Sequence, residues 1–113
     1  MDERILKWLY DINGAIKEID IYFEDNPKDF NKYKSNTILK RAIERDLEII
    51  GEAINRIITS DPNFPIENAK RIVGLRNQII HAYDNISDEN IWAIITKHIP
   101  RLKIEIIKLI EEH

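Results

Sequence analysis

The sequence predicts an all-α fold: an antiparallel bundle of four main helices in a single domain over residues 1–113. Three observations carry this. Apolar residues recur at steps of three and four, never at the alternation of a strand. Isoleucine fills most of those positions, and its slight helix penalty yields to the consistent spacing. The interruptions are polar or proline-bearing stretches, placed where a bundle turns. At 113 residues the chain can bury one core but not two. A balance of 43% hydrophobic and 33% charged residues is that of a globular protein.

The first helix, over about residues 2–24, is marked by Ile5, Leu9, Ile12, Ile16, Ile19 and Phe23, with Asp2 as its N-cap. EDNPKDFNKYKSN then breaks the pattern and reads as a connecting loop. Ser35 or Asn36 caps a second helix to about residue 60, burying Leu39, Ile43, Leu47, Ile50, Ile54 and Ile57. SDPNFP ends it, and Pro65 suits the first turn of a third helix over about 66–82. YDNIS closes that helix. Ser87 caps a fourth, with Ile91, Ile95, Leu102, Ile106 and Leu109 inward. Pro100, in its middle, is expected to kink it. No internal repeat or low-complexity stretch occurs.

Composition narrows the function classes. Without cysteine there is neither a disulfide framework nor a Cys-based zinc site, and a cytoplasmic location is expected. No apolar run is long enough to span a bilayer, and the charged start MDERILKW does not read as a signal peptide. A net charge of −3 argues against a protein that coats nucleic acid nonspecifically. It permits an enzyme with a small basic cleft on an acidic body. The three histidines show no clear metal-binding spacing, so a dedicated zinc site is not expected; no cofactor is expected either. His98 continues the buried stripe of the fourth helix, and His113 is terminal. Trp8, Tyr10 and Trp92 read first as core or dimer packing.

The stretch RNQIIHAYDN, residues 76–85, breaks the pattern of an apolar helix. At about 100° per residue, Ala69, Ile72, Val73, Ile80 and Tyr83 fall within roughly 60° of Arg76. Arg76 therefore occupies the middle of the apolar face, where a solvated arginine would not sit. His81 lies about 140° round, on the edge of that face with Asn77 and Gly74. A buried guanidinium loses several kcal/mol of hydration unless it meets a carboxylate or a wet cleft. Pairing with Asp46 or Glu48 as a register-setting device is one solution; a functional cleft is the other. Gly74 costs about 1 kcal/mol relative to Ala in a helix interior. Its missing side chain leaves room beside Asn77 for another helix or a ligand.

Arg76, four residues, His81, one residue and Tyr83 together resemble the Arg-x4-His-x-Tyr motif of HepT-like proteins, minimal members of the HEPN superfamily. Asn77 stands where a polar residue commonly follows the arginine. RDLEIIGEAINRI (45–57) is similar to that family's second-helix signature, and IVGLRNQIIHAYDNIS followed by Trp92 keeps its register. Two positions depart: Ala82 stands where the family often has Gly, and Asp84 where an aromatic often follows the tyrosine.

The resemblance implies the toxin of a two-gene toxin–antitoxin pair, a metal-independent ribonuclease acting as a homodimer. It further implies a neighbouring minimal nucleotidyltransferase as antitoxin, in some members adding AMP to the motif tyrosine, here Tyr83. Assembly with that partner beyond a dimer stays open.

The residue types suit such chemistry. RNA carries its own nucleophile, the 2′-OH, so a base, an acid and a cation suffice. Imidazole titrates near neutrality and serves as base or acid. Guanidinium keeps its proton and offers a planar fork to phosphate oxygens. Asn77, one turn before His81, can orient the imidazole or hold an oxygen. A two-fold dimer bringing two His81 copies to one cleft would supply both base and acid. Lys70 and Arg71 can assist the RNA, though a solvated face is their default. Two other readings remain from sequence: a non-catalytic subunit positioning nucleotide or substrate for a nucleotidyltransferase, and a purely structural dimer.

Overall fold

Asp2 opens the first helix. In the computed structural model, which describes residues 2–67, 72–74 and 87–113, its carboxylate accepts from the Arg4 N–H at 2.7 Å. Helix α1 then runs Glu3–Asp25 and buries Ile5, Leu9, Ile12, Ile16 and Ile19, with Phe23 half-buried against the core. Asn26 ends it, its side-chain amide donating to the Tyr22 carbonyl at 2.9 Å. Pro27 follows and has no N–H to extend the ladder.

Residues 24–36, expected to be a loop, contain a helix. Helix α2, Phe30–Ser35, starts at Asp29, whose carboxylate accepts from the N–H groups of Asn31 and Lys32 at 2.9 and 3.2 Å. Tyr33 is fully buried. Six residues are too short to display a period, so a cap and one aromatic anchor define this element. Asn36 caps the next helix through the Leu39 N–H at 3.0 Å. Helix α3, Thr37–Ser60, buries Leu39, Ile43, Leu47, Ile50, Ile54 and Ile57.

Pro65, expected in the first turn of the third helix, is not helical. Pro65 and Ile66 lie outside any helix, and Glu67 is in a turn. The Glu67 N–H donates across the fold to the Glu105 carboxylate at 2.7 Å, tying this turn to the last helix. Residues 72–74 are helical, and the rest of the expected third helix lies outside the described residues.

Ser87 caps α4, Asp88–Ala93, by accepting from the Asn90 N–H at 3.1 Å. A π-turn follows over Ile94–His98, in which the Ile99 N–H reaches five residues back to the Ile94 carbonyl. Helix α5, Ile99–Glu111, carries Pro100 in its first turn. The expected single fourth helix is thus α4, a widened turn and α5. Proline lacks an N–H and its ring crowds the carbonyl four residues back, here that of Thr96. One extra residue in the turn before Pro100 relieves that conflict.

Helix α1 packs principally against α3 and then against α5. Burying each Ile or Leu of this core contributes about 1.5–3 kcal/mol. Trp92 closes one end, with ring centroids 5.2 Å from Tyr33, 5.8 Å from Phe23 and 6.0 Å from Phe30. That aromatic cluster joins α1, α2 and α4. The described residues are all-α, with no strand among them, and no described helix is long and apolar enough to cross a membrane.

Candidate functional site

Arg76, Asn77, His81 and Tyr83 fall in residues 75–86, outside the described residues, as do Lys70 and Arg71. The structure defines what flanks them. On the leading side, Ile72 is buried at 2% exposure and borders a small cavity with Glu67, His98, Arg101, Leu102 and Glu105. His98 is half-buried, with Nδ1 enclosed, as its stripe position predicts. A Cβ built on Gly74 meets no described residue within 4 Å. No close packing among the described residues requires glycine there.

On the trailing side, Ser87 is fixed by its cap bond and Asp88 by an ion pair. Asp88 Oδ1 lies 2.9 Å from Lys40 Nζ on α3, both side chains about three-quarters buried. A partly desolvated pair is stronger than a surface one because water screens it less. Asp88 is five residues beyond Tyr83. Asp88 itself lies at the N-terminal end of α3, on the element that carries Trp92.

A second polar group lies in the α1–α3 seam. Asp46 is 1% exposed, the one buried charged side chain among the described residues. Burial pushes its carboxyl up to about 7, and the hydrogen bond and charge of Glu18 push the same way, against the Tyr22 hydroxyl and Arg45. Burial, with Asp46 and Glu18, pushes the Tyr22 phenol up to about 12. Its hydroxyl donates to Glu18 Oε2 at 3.5 Å. The signal for the burial of Asp46 was in the sequence: Asp46 lies three after Ile43 and four before Ile50, on the buried stripe.

Asp46 is one of the two acids that the register-setting reading of Arg76 would pair with it. Its neighbours on described elements are Glu18, Tyr22 and Arg45. Among the described residues, no group of three or more His, Cys, Asp or Glu could hold a metal ion.

Comparison with known proteins adds the context that the flanks alone do not give. Residues 12–109 match the family model described as "Ribonuclease HepT-like". A Methanocaldococcus jannaschii protein, provisionally named an RNase, is 37% identical over 109 residues, covering 94% of this chain and 97% of the relative. A second from that organism, likewise named, is 31% identical and covers 99% and 97%. A third, from Caldanaerobacter subterraneus subsp. tengcongensis and also provisionally an RNase, is 33% identical and covers 74% and 75%. No solved structure matches this chain.

Proposed function

This chain belongs to the HepT-like ribonuclease family, and from that premise we propose that it is an RNA endonuclease of the toxin type, using Arg76 and His81. The observation that carries the proposal is the family match over residues 12–109, which encloses an intact Arg76, His81 and Tyr83 set.

The reaction needs only what these side chains offer. One imidazole takes the proton of the 2′-OH, and the freed oxygen attacks phosphorus. The bond from phosphorus to the 5′-oxygen breaks, and a second acid protonates that oxygen. The products are a 2′,3′-cyclic phosphate and a 5′-hydroxyl end. Arg76 neutralises the charge that builds on the phosphorane. Asn77 orients the imidazole or holds a non-bridging oxygen. Because one imidazole cannot be base and acid in one step, the active form is a homodimer with both His81 copies at one cleft.

The partner is a minimal nucleotidyltransferase acting as antitoxin. AMP placed on Tyr83 would set a bulky anion in the phosphate path and block the substrate by charge and volume. Expressed alone in a bacterial host, the protein is expected to arrest growth and break RNA. Co-expression of the nucleotidyltransferase is expected to reverse both effects. Growth without RNA breakage would count against the toxin reading. After incubation of the pair with ATP, mass spectrometry is expected to find the adduct on Tyr83; adducts confined to other residues would remove that assignment.

A further inference from the structure

Charge is unevenly distributed along this chain. Residues 28–45, which cover α2 and the first part of α3, hold Lys28, Lys32, Lys34, Lys40, Arg41 and Arg45 against only Asp29 and Glu44. Six positive and two negative charges give a local excess of four in a chain of net −3, leaving −7 for the remainder.

Five of the six cations are exposed, and the sixth, Lys40, is held by Asp88. Lys28 lies over the Phe23 ring at 5.6 Å and Lys34 over the Phe30 ring at 6.0 Å. Neither acid offsets this charge freely. The Asp29 carboxylate accepts two backbone N–H groups at the start of α2. Glu44 is half-buried, and burial holds its carboxyl above the usual carboxylate range. Ile38, 84% exposed, shares the face of α3 that carries Arg41 and Arg45, three and seven residues on.

A run of basic residues is ordinarily a solvated face. Position sets this one apart. Lys40 sits inside the run, and its ion pair with Asp88 ties the corner to the trailing end of the motif stretch. RNA bound at the motif must leave across some surface of the protomer, and outside this corner the chain is net negative. An acidic protein would be drawn here too, but the link to the motif favours a polyanion that continues from the cut site.

We infer that the corner of α2 and the first half of α3 binds the phosphate backbone of single-stranded RNA flanking the cleaved bond, an inference that rests on the ribonuclease reading above. Its contacts are to phosphates, so they set affinity and salt dependence rather than base sequence. Ile38 supplies an apolar contact for an unstacked base.

The test measures binding of a 5′-labelled single-stranded RNA 20-mer by fluorescence anisotropy, using the full chain with His81→Ala so that the probe stays intact. Added to it, Lys32→Glu, Lys34→Glu, Arg41→Glu and Arg45→Glu together are expected to weaken binding at least tenfold at 0.1 M salt. Each lost single-strand phosphate contact lowers the slope of log affinity against log salt by about 0.7. A drop of about 2 to 3 is therefore expected. Lys17→Glu with Lys108→Glu, on α1 and α5, is expected to change affinity less than twofold.

All four altered side chains are exposed. Should the quadruple variant nevertheless melt early, the milder Lys34→Gln/Arg41→Gln pair is expected to lose two- to fourfold. Unchanged affinity and slope in a folded variant would overturn the inference while leaving RNA cleavage by the parent chain intact. A folded variant that keeps its RNA affinity and instead loses binding to the partner nucleotidyltransferase would overturn it as well. If the parent chain neither binds nor cuts RNA, the ribonuclease reading falls and this inference with it.

Discussion

Asp46 shows what a single residue does in this fold. A carboxyl that burial and Glu18 push up to about 7 binds its proton more tightly folded than unfolded. Its contribution to stability is therefore full below about pH 4 and is lost as pH rises to about 7. Asp46→Asn keeps the shape without the titration. Urea unfolding at pH 5 and pH 8 is expected to show the variant gaining on the parent by about 1–3 kcal/mol at the higher pH, the scale of an uncompensated buried polar group. A stability difference that does not change between the two pH values would contradict this. The burial of Asp46 was legible, because it lies on the stripe of Ile43, Leu47 and Ile50. Its neighbours Glu18 and Tyr22 were not, because they are on α1 and periodicity describes one helix at a time.

Among elements, the long helices were readable and the short ones were not. Asp2, Asn36 and Ser87 cap the helices they were expected to cap, because a side-chain acceptor beside an apolar stripe is a local signal. Helix α2 was missed because its anchor, Tyr33, packs against Trp92, 59 residues later. The Tyr33 hydroxyl is buried and has no hydrogen-bond partner among the described residues. Tyr33→Phe is accordingly expected to leave thermal stability unchanged or raise it by up to about 1 kcal/mol. Tyr33→Ala is expected to cost about 3–5 kcal/mol. A large loss in the Phe variant would show that the hydroxyl matters. Pro65, expected in the first turn of the third helix, precedes the described helical residues, and the Glu67 N–H beside it is bonded to Glu105 across the fold. Gly74 is a test of the motif's surroundings: with no described residue within 4 Å of a built Cβ, Gly74→Ala is expected to raise stability by up to about 1 kcal/mol. If RNA uses that space, the same variant loses cleavage while gaining stability.

For the whole molecule, sequence revealed the all-α class, the caps and the motif that places the chain in its family. It revealed less of how a net-negative protein would handle a polyanion, because total charge hides the basic corner at α2 and α3. Of the described flanks, Ile72 is in the core and Asp88 is paired with Lys40. Arg76 and His81 between them carry the central claim. The most direct measurement is cleavage of a defined single-stranded RNA by the purified chain in the presence of EDTA, alongside Arg76→Ala and His81→Ala. Cleavage by the parent is expected to leave 2′,3′-cyclic phosphate ends, and each variant is expected to cut at least a hundredfold more slowly with helicity preserved. Cleavage at the parent's rate by either folded variant would contradict the central claim.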